Sequence, residues 1–271
     1  MSFFSLALIE AVLIGGLAGL VGVLVVIRRR AFFATALTHA TFPGAIAAVV
    51  LGLAPAFGAA VFSLVLVGVM SALAAIRRLG GQVASGIVLT SGFALGALLQ
   101  AANPELPIQI ESFLVGSILT VSAGDVWLTF GMLLLTLLVL GVAGKELLFS
   151  SFDVNGYRAS GRRPWLPETI SLILIAGTVV VAMPAVGSIL AIALIVGPAA
   201  SVRLWTRSIA GMTLAAPLVG AAVAVVGLLV GAAFDLSAGG AITLFAALVF
   251  VLSLGLRRLV DSVRPKVRWV A

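Results

Sequence analysis

The chain has 271 residues, 62% hydrophobic and 9% charged, with a mean hydropathy of +1.31, and these values exclude an ordinary water-soluble domain. Its formal net charge is +7, but the basic residues cluster between apolar runs, where they report membrane orientation, so nucleic acid is not the expected partner. The absence of cysteine excludes disulfides, thiolate metal ligands and thiol nucleophiles.

A helix needs about 20 apolar residues to cross a hydrocarbon core about 30 Å thick. The apolar runs lack the period-two alternation of a barrel strand, so the expected architecture is all-α: one polytopic integral membrane helical bundle of eight or nine transmembrane helices, a single domain over residues 1–271. Residues 6–27 form the first span, read as retained because it lacks a basic n-region and a cleavage site. It closes on Arg28, Arg29 and Arg30, which by the positive-inside rule puts that end in the cytoplasm and the N-terminus outside.

The second span, residues 35–53, opens with Thr35, Thr38 and His39 and is expected to break at Pro43 and Gly44. Thr35 and His39 are four apart and share a helix face. His39 is the only histidine, and an imidazole inside a membrane is either a hydrogen-bonded packing residue or a group on a solute pathway. Residues 57–76 return to Arg77 and Arg78, and residues 85–101 lead out to NPELPIQIE, which carries Glu105 and Glu111. Residues 112–122 are too few to cross and are expected as a re-entrant or interfacial helix on the outer side.

The fifth span, residues 126–142, follows Asp125 and returns to Lys145. Residues 145–167 are the longest polar segment and the expected main cytoplasmic loop. Span six (170–182) breaks at Pro184, and span seven (186–202) is bracketed by Pro184, Gly187, Gly197 and Pro198, which loosen both its ends and make it a candidate pathway or gating element. Span eight (212–233) reaches Asp235, and the last span (241–256) comes in to a basic tail over residues 257–271.

This threading places all 16 lysines and arginines in the cytoplasm. It places Glu105, Glu111, Asp125 and Asp235 outside, either as plain solvated charges or as a field that concentrates divalent cations. Trp127, Trp165, Trp205 and Trp269 all fall at span ends, where amphipathic rings favour the interface. The small-residue runs GGLAGLVG (15–22) and GFALGALL (92–99) are read as surfaces for close helix packing.

Three stretches, in order, resemble the permease subunits of the metal-ion ABC importers, which carry zinc, manganese or iron(II) into bacteria: RRRAFFATALTHATFPG (28–44), SFDVNGYRASG (151–161) and AVGSILAIALIVGPAASVRLWTRSIAGM (185–212), the last continued by FDLSAGGAITL (234–244). The resemblance covers nearly the whole chain. It implies a type II importer permease in the bacterial cytoplasmic membrane, a pore made with a second copy, separate ABC ATPase subunits that bind the ATP, and an extracytoplasmic metal-binding protein. The metal ion is then cargo, zinc or manganese ahead of iron, and no cofactor is held tightly. His39 with Thr35 becomes the metal-handling pair, and Asp153, Asn155, Tyr157 and Arg158 the ATPase-coupling residues, of which Asp153 and Arg158 without the resemblance read as solvated loop charges.

The chain has no G-x-x-x-x-G-K-[ST] phosphate loop, so it is read as a transport subunit and not an enzyme. Asp153 is expected to cap a short helix, which Gly156 weakens, so that ordering on docking is expected. Thr35 stands where the family has an aspartate, and Ser117 where its outer segment often has an acidic residue, so two carboxylates are missing. The alternative is a secondary transporter or exporter driven by an ion gradient. It would need intramembrane carboxylates, and the nearest is Glu10, close to a span end. A membrane-embedded enzyme would need a nucleophile or ligand cluster, for which one histidine without cysteine is thin support.

Overall fold

The computed structural model describes residues 3–74, 80–105, 116 and 118–263, all of them helix or connecting turn. In chain order the helices are α1 (Phe3–Ile27), α2 (Ala31–Ala40), α3 (Phe42–Val50), α4 (Pro55–Ala74), α5 (Gly81–Ala101), α6 (Ala123–Phe152), α7 (Val154–Ala159), α8 (Trp165–Val186), α9 (Ser188–Trp205), α10 (Ile209–Ala233) and α11 (Ala238–Val263), with a one-turn 3₁₀ helix at Ile118–Thr120 before α6. Among the described residues eight segments are long and apolar enough to span a membrane, α2 and α3 counting together as one. The apolar α9, at 18 residues, adds a shorter ninth, about 27 Å long at 1.5 Å per residue.

α1 is the axis of the bundle, buried along most of its length between α10, α9, α6 and α8. Its small residues allow this. Gly15 and Gly19 lie against the backbone of Gly220 and Ala216 in α10, and Gly22 against the Ile195 carbonyl in α9, so a Cβ at any of the three would collide with main chain. Without a hydrophobic drive between helices in lipid, such close approach supplies the packing attraction. The second small-residue run does the same work on α5, where Gly92 sits on Ala40 and Gly96 on Phe42. By contrast α6 and α11 are exposed along most of their length.

Four expectations about breaks are corrected. The second span breaks at Thr41, not at Pro43 and Gly44: Pro43 sits in the first turn of α3, where a missing N–H costs nothing, and Gly44 packs on Gly58 of α4. α8 runs through Pro184 to Val186 and breaks at Gly187, whose φ of 84° only glycine adopts without strain. α9 continues unbroken through Gly197 and Pro198 to Trp205. The expected loop over 145–167 is largely helical, because α6 extends to Phe152, α7 follows after one residue, and α8 opens at Trp165.

Of the segment 112–122, the described residues form the 3₁₀ turn rather than an α-helix, anchored in the core by fully buried Ile118. Gly116, at a φ of 62°, lies back to back with Gly187, so it seats on the α8–α9 break. Ser117, Arg77, Arg78, the Glu111 carboxylate and Trp269 with the basic tail beyond Val263 lie outside the described residues. Trp127, Trp165 and Trp205 are all exposed, and each sits within one turn of a helix end, as expected for interfacial anchors.

Candidate functional site

His39 lies in the last turn of α2, half-buried, its ring edge-on to Phe93 of α5 at 6.4 Å. The hydroxyls beside it serve the helix first: Thr35 donates to the Ala31 carbonyl at 3.1 Å and Thr38 to the Thr35 carbonyl at 2.7 Å. The donor of Thr35 is therefore spent, and only its oxygen lone pairs remain for a ligand. A neutral imidazole nitrogen and a neutral hydroxyl make a weak site, suited to an ion that passes and does not stay. Among the described residues no group of three or more His, Cys, Asp or Glu side chains could hold a metal ion.

The sequence reading missed the partner of the α2–α3 break. The Thr41 hydroxyl donates to the Leu37 carbonyl at 3.0 Å and lies 3.7 Å from the sulfur of buried Met183, next to Pro184 and one turn before the Gly187 break. The two interrupted spans thus meet at Thr41 and Met183, while Gly44 packs away from this contact on Gly58 of α4 and Gly187 on Gly116. Gly197 and Pro198 do not join the contact either, since Gly197 faces Ala246 of α11.

Asp153 caps α7, accepting a hydrogen bond from the Gly156 amide at 2.8 Å. A Cβ on Gly156 would collide with that carboxylate, so the glycine makes the cap fit as well as weakening the helix. α7 is formed in the isolated chain, contrary to the expected ordering on docking. Asn155 and Arg158 are exposed. Tyr157 is only 4% exposed and turns inward, edge-on to Phe149 of α6 at 5.4 Å. It cannot offer its ring to a partner. Burial, together with the Glu146 carboxylate nearby, pushes its phenol above the usual value.

Above α7 sits a charge cluster that the sequence showed only as a topology signal. Arg28, its side chain 5% exposed, donates from Nη1 to Glu168 Oε2 at 2.9 Å and from Nη2 to the Leu147 carbonyl at 2.9 Å and Ser150 Oγ at 2.7 Å. Arg30 pairs with the other Glu168 oxygen. Arg29 between them takes a left-handed φ of 53°, which turns it outward and lets both neighbours reach one carboxylate. Burial lowers the Arg28 guanidinium from its ordinary value while Glu168 opposes the shift, and an arginine stays charged under such conditions. The signal in the sequence was Glu168 itself, an acidic residue opening a span directly after a basic segment.

Near the other end of α1, Glu10 is fully buried, and one oxygen accepts from the Thr129 hydroxyl of α6 at 2.7 Å. Its second oxygen has no hydrogen-bond partner among the described residues. Of the carboxylates expected outside, Glu105 and Asp235 are exposed, Asp235 at a left-handed φ of 52°. Asp125 is tied into a capping box with Ser122 at the start of α6. Glu105 and Asp125 lie at the two ends of the α5–α6 connection and Asp235 on the α10–α11 connection, and among the described residues they form no group able to hold a metal ion.

The all-helical bundle, with the short helix α7 following the long span α6, is shared with solved transporter structures. The solved structure of PsaBC from Streptococcus pneumoniae in complex with Fab matches with a TM-score of 0.85 and 30% identity, covering 97% of this chain and 96% of that one. An inward-facing structure described as a metal-chelate type ABC transporter shares the fold, with a TM-score of 0.71, 20% identity and coverage of 94% and 85%. Residues 1–257 match the model of the ABC 3 transport family, and the chain belongs to that family. Its relatives include the manganese import system permease protein ScaB of Streptococcus gordonii, 33% identical over 251 residues (93% of this chain, 90% of that protein), and the manganese transport system membrane protein MntC of Halalkalibacterium halodurans, 30% identical over 257 residues (93% and 86%).

Proposed function

We propose that this chain is the pore-forming subunit of an ATP-driven importer for a divalent transition metal ion, manganese first, with zinc next and iron(II) third. The observation that carries the reading is His39: the one imidazole of the chain sits half-buried beside the meeting point of two interrupted spans. The names of the relatives favour manganese. Imidazole prefers zinc on intrinsic affinity, so selection falls to the extracytoplasmic metal-binding protein that delivers the ion.

In this reading the chain makes nine passes with its N-terminus outside and its C-terminus in the cytoplasm, and two copies enclose the pathway. Glu105, Glu111, Asp125 and Asp235 face the outside and draw cations to it. α7 receives the ATPase through exposed Asn155 and Arg158, with Asp153 holding the helix in shape. ATP binding and hydrolysis by that partner then exchange an outward-open for an inward-open arrangement, and the ion passes His39 between the two.

A second reading has one observation in its favour. Glu10 is the buried intramembrane carboxylate that a carrier driven by an ion gradient would use. Vesicles holding the chain alone, or the chain with its ATPase, metal-binding protein and ATP, separate the two. The importer reading expects manganese(II) accumulation only with the ATPase and ATP. Accumulation by the chain alone under a proton or sodium gradient would establish the carrier.

A further inference from the structure

We infer that Arg28 and Glu168 are positioning residues that carry movement of α7 to the helix bearing His39, an inference that rests on reading α7 as the ATPase-docking element. α7 is fastened to the end of α6 by more than chain connection. Tyr157 is buried against Phe149, and Arg162 both pairs with Glu146 and lies 5.9 Å from the centre of the Tyr157 ring. A force on α7 therefore moves the last two turns of α6 with it.

Those turns are gripped by Arg28. One guanidinium nitrogen holds the Leu147 carbonyl and Ser150 of α6, and the other holds Glu168 in the first turn of α8. The guanidinium is planar and presents its donors in a rigid fork, so its three partners are held in one geometry. Both helix ends suit the charges, because a cation is favoured at the C-terminal end of α6 and an anion at the N-terminal end of α8. Glu168 is shared with Arg30, the residue on which α2 opens. α6 also packs directly on α1 and α8, and the Arg28 hydrogen bonds are the polar link between its end and Glu168. The continuous path is α7, the end of α6, Arg28, Glu168, Arg30 and then α2 with His39.

The test uses the complete complex with its ATPase and metal-binding protein in vesicles, with manganese(II) as the probe. Amide hydrogen exchange over α7 and α2 is compared with and without nucleotide, and manganese delivered per ATP hydrolysed is measured. In the wild type, nucleotide alters exchange in both helices. Glu168→Gln keeps the α7 response, loses the α2 response and lowers manganese per ATP about tenfold, the size of a typical coupling free energy. Glu168→Asp restores most of it, which a merely structural loss would not predict. Ser150→Ala loosens Arg28 from α6 alone and gives a smaller loss in the same direction, so the test stands even if Glu168→Gln fails to fold. Unchanged α2 exchange and unchanged manganese per ATP in Ser150→Ala and Glu168→Gln overturn the inference. A wild-type complex whose α7 ignores nucleotide overturns the docking reading and the inference with it.

Discussion

α6 is pinned to α1 at two places, and the two pins differ in kind. At the Arg28 end the guanidinium meets a carboxylate, a hydroxyl and a main-chain carbonyl, so a buried cation has an opposite charge and two further acceptors, with its Nε unpartnered among the described residues. At the Glu10 end the carboxyl meets one hydroxyl, and its second oxygen is unpartnered among the described residues. A buried ion held by an opposite charge fixes geometry, whereas a buried carboxyl with one neutral partner leaves capacity unused. The Arg28 pin is built to hold and the Glu10 pin to give, so the two ends of α6 are expected to differ in stability and in response to substitution.

The largest effect belongs to the Arg28 pin. Arg28→Ala leaves Glu168 with Arg30 as its remaining charged partner and removes the hydrogen bonds to Glu168, Ser150 and Leu147, with an expected cost of about 3 kcal/mol. Thermal unfolding in detergent should show the loss, and an unchanged melting temperature would erase the contrast. Next comes the Glu10 pin: Thr129→Val, nearly the same volume, removes the one hydrogen-bond partner of Glu10 among the described residues at a cost of about 2 kcal/mol, read by the same melt. Asp153→Ala removes only the α7 cap, costing about 1 kcal/mol that appears as faster amide exchange confined to residues 154–159. The smallest change sharpens the comparison most. Glu10→Gln keeps a carbonyl oxygen for Thr129 and should alter stability by under about 1 kcal/mol. A loss as large as that of Arg28→Ala would mean that the Glu10 pin, too, depends on charge.

What the sequence made legible follows from where charge and small residues must go. The helical bundle, its number of spans and the packing role of Gly15, Gly19, Gly22, Gly92 and Gly96 could be read directly, because lipid permits few alternatives to helices with small residues at their contacts. Asp153 as a cap was legible from local chemistry alone. The Arg28–Glu168 pair was not, since its members are 140 residues apart and each looked like an end marker in its own span. Tyr157 reads as an exposed loop residue until α6 is seen to run on to Phe152 and provide Phe149 as its neighbour. Glu10 lies near a span end, which hides that α6 covers it. Gly187 was named as an end of span seven and is one, whereas Pro184, Gly197 and Pro198 were named beside it and lie within helices, and the second span turns at Thr41, two residues before Pro43.

The pathway reading hangs on His39, with Thr35 in the place of an acidic partner. The most direct test is manganese(II), zinc(II) and iron(II) uptake in cells expressing the complete transporter, comparing wild type with His39→Ala and Thr35→Asp at matched protein levels. Loss of uptake of one metal in His39→Ala, with the complex still assembled, and retained or improved uptake in Thr35→Asp, is the predicted result. Uptake of every metal unchanged by His39→Ala would contradict it and leave the imidazole as a packing partner of Phe93.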